Sequence, residues 1–163
     1  MNLLTANLLL STLIFWIAAR IYLVPQLPVL TTQAVLIPIL LLHAFRHLGL
    51  MFLAPGATYA GIAPEFAYPA ALGDFVASIL ALLALPAVLK SHRSAQALVW
   101  IFNLEGTVDL LAAIVLATYY DASPQMGPAY WIPAFWVPAL LVTHYLTFKI
   151  LLDRRRWHEV NRV

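Results

Sequence analysis

The residues of this sequence best suited to chemistry lie where charge is most costly. His43, Arg46, His47, Asp74, Glu105, Asp109 and His144 all fall inside long apolar stretches of a 163-residue chain that is 63% hydrophobic and only 10% charged. At the centre of a bilayer a full charge costs roughly 2.5–3.5 kcal/mol on insertion scales, so such residues turn inward and pair. The spacing agrees. His43 and His47 are four residues apart with Arg46 between them, and Glu105 and Asp109 are again four apart, which on an α-helix is one face. Asp74 with Ser78 repeats the interval, and His144 has Thr147 three residues on.

Charge counting says what this set demands. Arg46 cannot give up its proton, while Asp74, Glu105 and Asp109 carry three negative charges when ionised, so two remain unbalanced if the histidines are neutral. A low-dielectric interior does not hold such an excess. Protons on the histidines or carboxylates, or a divalent cation, must make up the difference. The seven residues are therefore the candidate ion or proton site.

Four uses follow from these residue types. His, Asp and Glu spread through the bilayer depth suit proton or cation handling in transport, relay or sensing, although five helices without an inverted repeat depart from the usual carrier plan. His43, His47, Glu105, Asp109 and His144 offer nitrogen and oxygen ligands for a divalent metal. Two histidines on separate helices could instead clamp a haem, with Gly49 and Gly106 leaving room. The third use is purely structural, interhelical pairs holding a bundle or a partner-binding subunit together. The fourth is a lipid-directed enzyme with a His/carboxylate acid–base pair. No nucleophile motif, glycine-rich phosphate loop or nucleotide signature supports the last, and whether the chain is an enzyme stays open.

The elements that must carry these groups are legible from the apolar runs. Spans are expected at 3–24, 29–53, 68–89, 96–119 and 129–152, punctuated by Pro25-Gln26-Leu27-Pro28, by Ala54-Pro55-Gly56 and by short polar loops. Each reaches about 20 residues, enough to cross the hydrocarbon core, and only helices satisfy their backbone there. The fold class is thus an all-α integral membrane bundle of five transmembrane helices in a single domain, with a short basic tail over 153–163. A mean hydropathy of +0.88 agrees. Such a composition excludes a soluble enzyme, a nucleic-acid binder and a disordered chain. The lack of cysteine excludes disulfides and thiolate sites.

Orientation follows from Lys and Arg. Lys90 and Arg93 lie between spans 3 and 4, Arg154, Arg155, Arg156 and Arg162 lie in the tail, and Arg20 and Lys149 sit near the same side. The loops 55–67 and 120–128 carry only Glu65 and Asp121. The N-terminus is expected outside and the C-terminus in the cytoplasm, with the bacterial cytoplasmic membrane as the setting. A cleaved signal peptide is disfavoured, because Asn2-Leu3-Leu4 is uncharged and Ala18-Ala19-Arg20 makes a poor cleavage site. Tyr59, Tyr68, Tyr119, Tyr120, Tyr130 and Trp131 should form the outer aromatic belt, and Trp157 the inner one.

Counting depth from the span ends places Arg46, His47 and Asp74 in the outer third, His43 and Asp109 near the middle, and Glu105 and His144 in the inner third. The expected pairs are Arg46 with Asp74, His43 with Asp109, and His144 with Glu105. Pro38, Pro86, Pro133 and Pro138 predict bends. Gly73, Ala77, Ala81 and Ala84 form a small-residue stripe on helix 3, for packing in the bundle or for a homo-oligomer. Beyond the bilayer itself, the expected partner is anionic lipid at the basic tail, for which topology is a sufficient alternative reason.

Overall fold

A computed structural model of the chain describes residues 3–153 and Trp157. Among these residues all regular structure is helical. Helix α1 (Leu3–Ala18) runs on through a π turn, Ala19–Leu23, and a 3-10 turn, Val24–Gln26. Helix α2 (Thr32–Ala44) tightens into a 3-10 segment, Phe45–Leu53. Helices α3 (Pro64–Leu89) and α4 (Ala95–Tyr119) are uninterrupted. Two short 3-10 turns, Ser123–Gln125 and Gly127–Tyr130, and a π turn, Ile132–Trp136, lead into α5 (Val137–Leu152).

Five spans of 22 to 26 residues are long and apolar enough to cross a membrane. At about 1.5 Å per residue the shortest covers about 33 Å, against a hydrocarbon core of about 30 Å. Large apolar side chains remain exposed on every span, which is the pattern of helices apolar all round rather than amphipathic ones. Local chemistry sets the ends. Thr31 caps α2 by accepting from the Ala34 amide. Helices α3 and α4 both close with a 6→1 bond, His92 N–H to Ala87 C=O and Ala122 N–H to Ala117 C=O, and with Ser91 and Asp121 at positive φ. Gln33 reaches across from α2 to the last carbonyls of α3.

Helix α3 is the centre of the bundle, packed on span 2 and on α4, while α4 also meets α5. Its small residues Ala77, Ala81 and Ala84 are wholly buried. The stripe therefore lets α2 and α4 approach within the chain. Helix α1 is peripheral. It packs chiefly on the fifth span, through Phe15 against Phe135 and Asn7 against the Tyr130 hydroxyl, and leaves most of its surface open.

Two large apolar clusters and a small one of Leu110, Val137 and Leu140 fill the interior. One large cluster, at the end carrying the α3–α4 loop, joins Leu36, Leu40, Ala84, Val99, Phe102 and Ile150. The other, at the opposite end, joins Phe52, Phe66, Ala70, Ala117, Met126 and Ala129. Between them lies a layer of buried polar residues. Tyr59, Tyr68, Tyr119, Tyr120 and Trp131 are exposed at the second end. Trp157 is not an interfacial anchor: it is buried against the first cluster, and its indole N–H donates to the Ile150 carbonyl at 3.1 Å. The tail arginines Arg154, Arg155, Arg156 and Arg162, and with them the anionic-lipid contact, lie outside the described residues.

Candidate functional site

The polar layer is organised by one guanidinium. Arg46 leaves the 3-10 segment of span 2 and is 1% exposed. Its Nε donates to Asp74 Oδ1 on α3 at 2.7 Å and its Nη2 to Asp109 Oδ2 on α4. Its Nη1 faces both the Gly106 carbonyl at 3.2 Å and His144 Nε2 on α5 at 3.3 Å. Four of the five spans thus meet at a single side chain.

Why the 3-10 geometry matters can be read from spacing. In a 3-10 helix, residues three apart eclipse, and here Arg46, Gly49 and Phe52 are the buried residues of the segment. With the last α-helical residue facing inward, His43, they continue a strict interval of three. The same tightening turns His47 away from the layer: it is exposed, and its ring Nδ1 contacts the Ala44 carbonyl. His47 is not part of the cluster, contrary to its α-helical spacing from His43.

Hydrogen bonding fixes the two buried imidazoles. Arginine has only donors, so His144 Nε2 accepts, and its Nδ1–H donates to Asn103 Oδ1 at 2.8 Å. The Thr143 hydroxyl gives its proton to the α5 backbone at Ala139 or Leu140, so its oxygen accepts from His43 Nε2–H at 2.9 Å. His144 is then the neutral Nδ1–H tautomer, and His43 carries a proton on Nε2. The two rings face one another at 4.3 Å between centroids, with Phe102 completing a triangle at 4.9 and 5.3 Å. His43 Nδ1, the Asn103 amide nitrogen and Glu105 Oε2 are buried without a hydrogen-bond partner.

Of the expected pairs, Arg46 meets Asp74. His43 pairs with Thr143 instead of Asp109, which goes to Arg46, and His144 pairs with Asn103 and Arg46 instead of Glu105. Glu105 lies one residue, about 100° of helix, from Gly106, so it stands beside the layer without a hydrogen-bonded carboxylate contact to it. It is half-buried and feels the charges of Arg46 and Asp74.

Space for the layer comes from glycine. A methyl group added at Gly49 or Gly73 would collide with the carboxylates of Asp74 and Asp109 respectively. One added at Gly106 would sit 2.5 Å from Arg46 Nη1 and 2.7 Å from His144 Cε1. Three of the chain's six glycines therefore line this one site, one each from spans 2, 3 and 4.

The metal set His43, His47, Glu105, Asp109 and His144 is not gathered. Among the described residues no three His, Asp or Glu side chains are grouped to hold a metal, and the cation that joins Asp74 to Asp109 is the guanidinium itself. Nor do His43 and His144 suit a haem, since at 4.3 Å their rings leave no room for a porphyrin between them. Asn103 and Thr143 belong to the site although sequence reasoning did not assign them. The usable signal for Asn103 was its three-residue interval from Gly106 and its place in an otherwise apolar helix.

No curated protein and no solved structure matches the chain. A family model does, over residues 3–152, and it describes a domain of unknown function. The chain belongs to that family, DUF8737.

Proposed function

We propose that this is a proton-linked protein of the cytoplasmic membrane, N-terminus outside and C-terminus in the cytoplasm, that works through the Asp74–Arg46–Asp109 centre. One observation carries the reading: a single buried guanidinium serves two carboxylates. With both ionised the group holds one surplus negative charge, and Glu105 adds another within electrostatic reach. Burial of unbalanced charge is expensive, and neither His144, whose Nε2 accepts from Arg46, nor His43, bonded to Thr143, pairs with a carboxylate to offset it. A proton does so most simply. Asp109 is the more accessible carboxylate, its side chain 12% exposed against 8% for Asp74, and is the natural point of exchange.

The test is reconstitution in liposomes with a pH-sensitive dye, together with infrared difference spectra recorded across a pH jump. Asp109→Asn removes the surplus charge, and it should abolish both proton movement and the carboxylic C=O signal while the helices stay folded. Glu105→Gln should reduce both in part. A wild-type protein that neither moves protons nor shows a protonated carboxyl defeats the proposal.

A second reading has its own support. Because Arg46 ties spans 3, 4 and 5 to span 2, the centre also suits a purely structural clamp. Under that reading Asp109→Asn changes stability alone.

A further inference from the structure

A cavity lined by α1, α3, α4, the fifth span and Phe52 of span 2 has Asp74 in its wall. It measures about 100 Å³ and is partly open. Its walls are overwhelmingly apolar, with Leu8, Phe52, Phe66, Leu110, Ala113 and Val137 among them, and Asp74 is its one ionisable residue. The other polar side chains lining it are Thr5 and Thr118, near helix ends toward the aromatic-rich end of the bundle.

An apolar cavity with a single carboxylate in its wall selects by charge. Neutral hydrocarbon gains burial along the walls but leaves Asp74 as it was. An anion meets the surplus negative charge of the Arg46 centre and is rejected. A protonated amine gains on both counts, since its ammonium donates to the carboxylate while its chain lies against Leu8, Leu110 and Val137. On this measure a single water needs about 10–15 Å³, so the cavity takes the ammonium and the first few carbons, and a longer tail extends out of it.

We infer that this cavity is a binding site for lipophilic primary ammonium ions, held with the head at Asp74 and the tail along the apolar walls. The inference deepens the proton-linked reading and rests on it in one respect. The incoming ammonium supplies the positive charge that the proton otherwise supplies, so one proton leaves the centre for each ammonium bound and the charge balances.

Hexylammonium, hexanol and hexanesulfonate form a matched cationic, neutral and anionic series for calorimetry and thermal unfolding of the purified protein in neutral detergent. Hexylammonium should bind saturably and raise Tm, and the other two should not. Asp74→Asn should weaken hexylammonium at least about tenfold. Ala113→Phe fills the cavity from a half-buried position outside the ion pair and should abolish binding. Ala113→Leu serves the same purpose if the larger ring disturbs folding. Equal effects of hexanol, or binding undiminished in both Ala113 variants, would overturn the inference. In weakly buffered solution about one proton should be released per ammonium. Selective binding without release supports the site but sinks the proton-linked reading. Proton movement that persists without any ammonium-selective binding does the reverse.

Discussion

Replacing Arg46 by glutamine tests the central arrangement most directly. The side chain is fully buried, makes two ion pairs and reaches a carbonyl and an imidazole besides. Glutamine keeps a polar group of similar reach but leaves Asp74 and Asp109 with two uncompensated charges. Removing one partner of a buried pair costs about 3–5 kcal/mol, so Arg46→Gln should lower the folding equilibrium by roughly two to three and a half orders of magnitude, at about 1.4 kcal/mol per factor of ten. Asp109→Asn is the informative contrast. It leaves one positive and one negative charge, and the amide oxygen can still accept from Nη2, so it should cost clearly less than Arg46→Gln. The triple variant Arg46→Gln, Asp74→Asn, Asp109→Asn carries no charge in the layer and should recover most of the loss, because neutral replacement of a buried ionic group is commonly tolerated. Unfolding in mixed micelles with rising dodecyl sulfate, followed by tryptophan fluorescence, gives the ranking. The Arg46→Gln deficit should also shrink as pH falls, since protonated carboxyls no longer need a cation. An Arg46→Gln protein as stable as Asp109→Asn, or a triple variant no better than Arg46→Gln, would refute the charge argument.

Other outcomes follow from the same contacts. Gly106→Ala should destabilise by about 1–3 kcal/mol in the same unfolding assay, since overpacking against Arg46 and His144 outweighs the gain of about 1 kcal/mol that alanine brings to a helix interior. His47→Ala should lie within about 0.5 kcal/mol of wild type and leave proton movement unchanged, because the ring is exposed and touches only a local carbonyl. Asn103→Leu should remove the acceptor that fixes the His144 ring, and nitrogen-15 spectra of the histidines should then show a mixture of tautomers in place of one. Asp121→Gly should raise Tm by relieving a non-glycine residue at positive φ, a gain of up to about 1 kcal/mol, whereas Ser91→Gly also loses the bond that its hydroxyl accepts from Gln33 and should gain less.

The spans were legible because long apolar runs broken by Pro, Gly and charge leave few alternatives. Their expected limits fall within four residues of those observed, the largest difference being α3, which begins at Pro64 rather than 68. Proline at the first helical position costs no hydrogen bond, so Pro64 and Glu65 open the helix where apolarity alone places a loop. The convergence of His43, Arg46, Asp74, Asp109 and His144 was legible from cost, since each had to face inward. Their pairing was not. Counting depth resolves layers along the axis but not rotation about it, and Glu105 is misplaced by one step of about 100°. His47 was misplaced because the spacing was read at 3.6 residues per turn, whereas span 2 changes to three residues per turn at Phe45. The interval His43, Arg46, Gly49, Phe52 contains that change, but it emerges only once glycine is counted as an inward residue. Trp157 was read from its place after the last span, and nothing in the sequence indicates its burial against the Ile150 cluster.

The glycines bear on whether the layer is a clamp alone. Glycine inside a helix costs roughly 0.5–1 kcal/mol relative to alanine, and spans 2, 3 and 4 each accept that cost at the point where Arg46, Asp74 or Asp109 passes. A clamp needs the space around Arg46 and one carboxylate to neutralise it. It has no use for Gly73, whose absent side chain makes room for Asp109, the carboxylate that carries the layer past neutrality. Nor does it use Glu105, which adds charge without a bond. Those are the features that a proton or an ammonium would engage, so Asp109→Asn separates the two accounts. A stable, inert variant supports the proton-linked centre, and one altered only in stability supports the clamp.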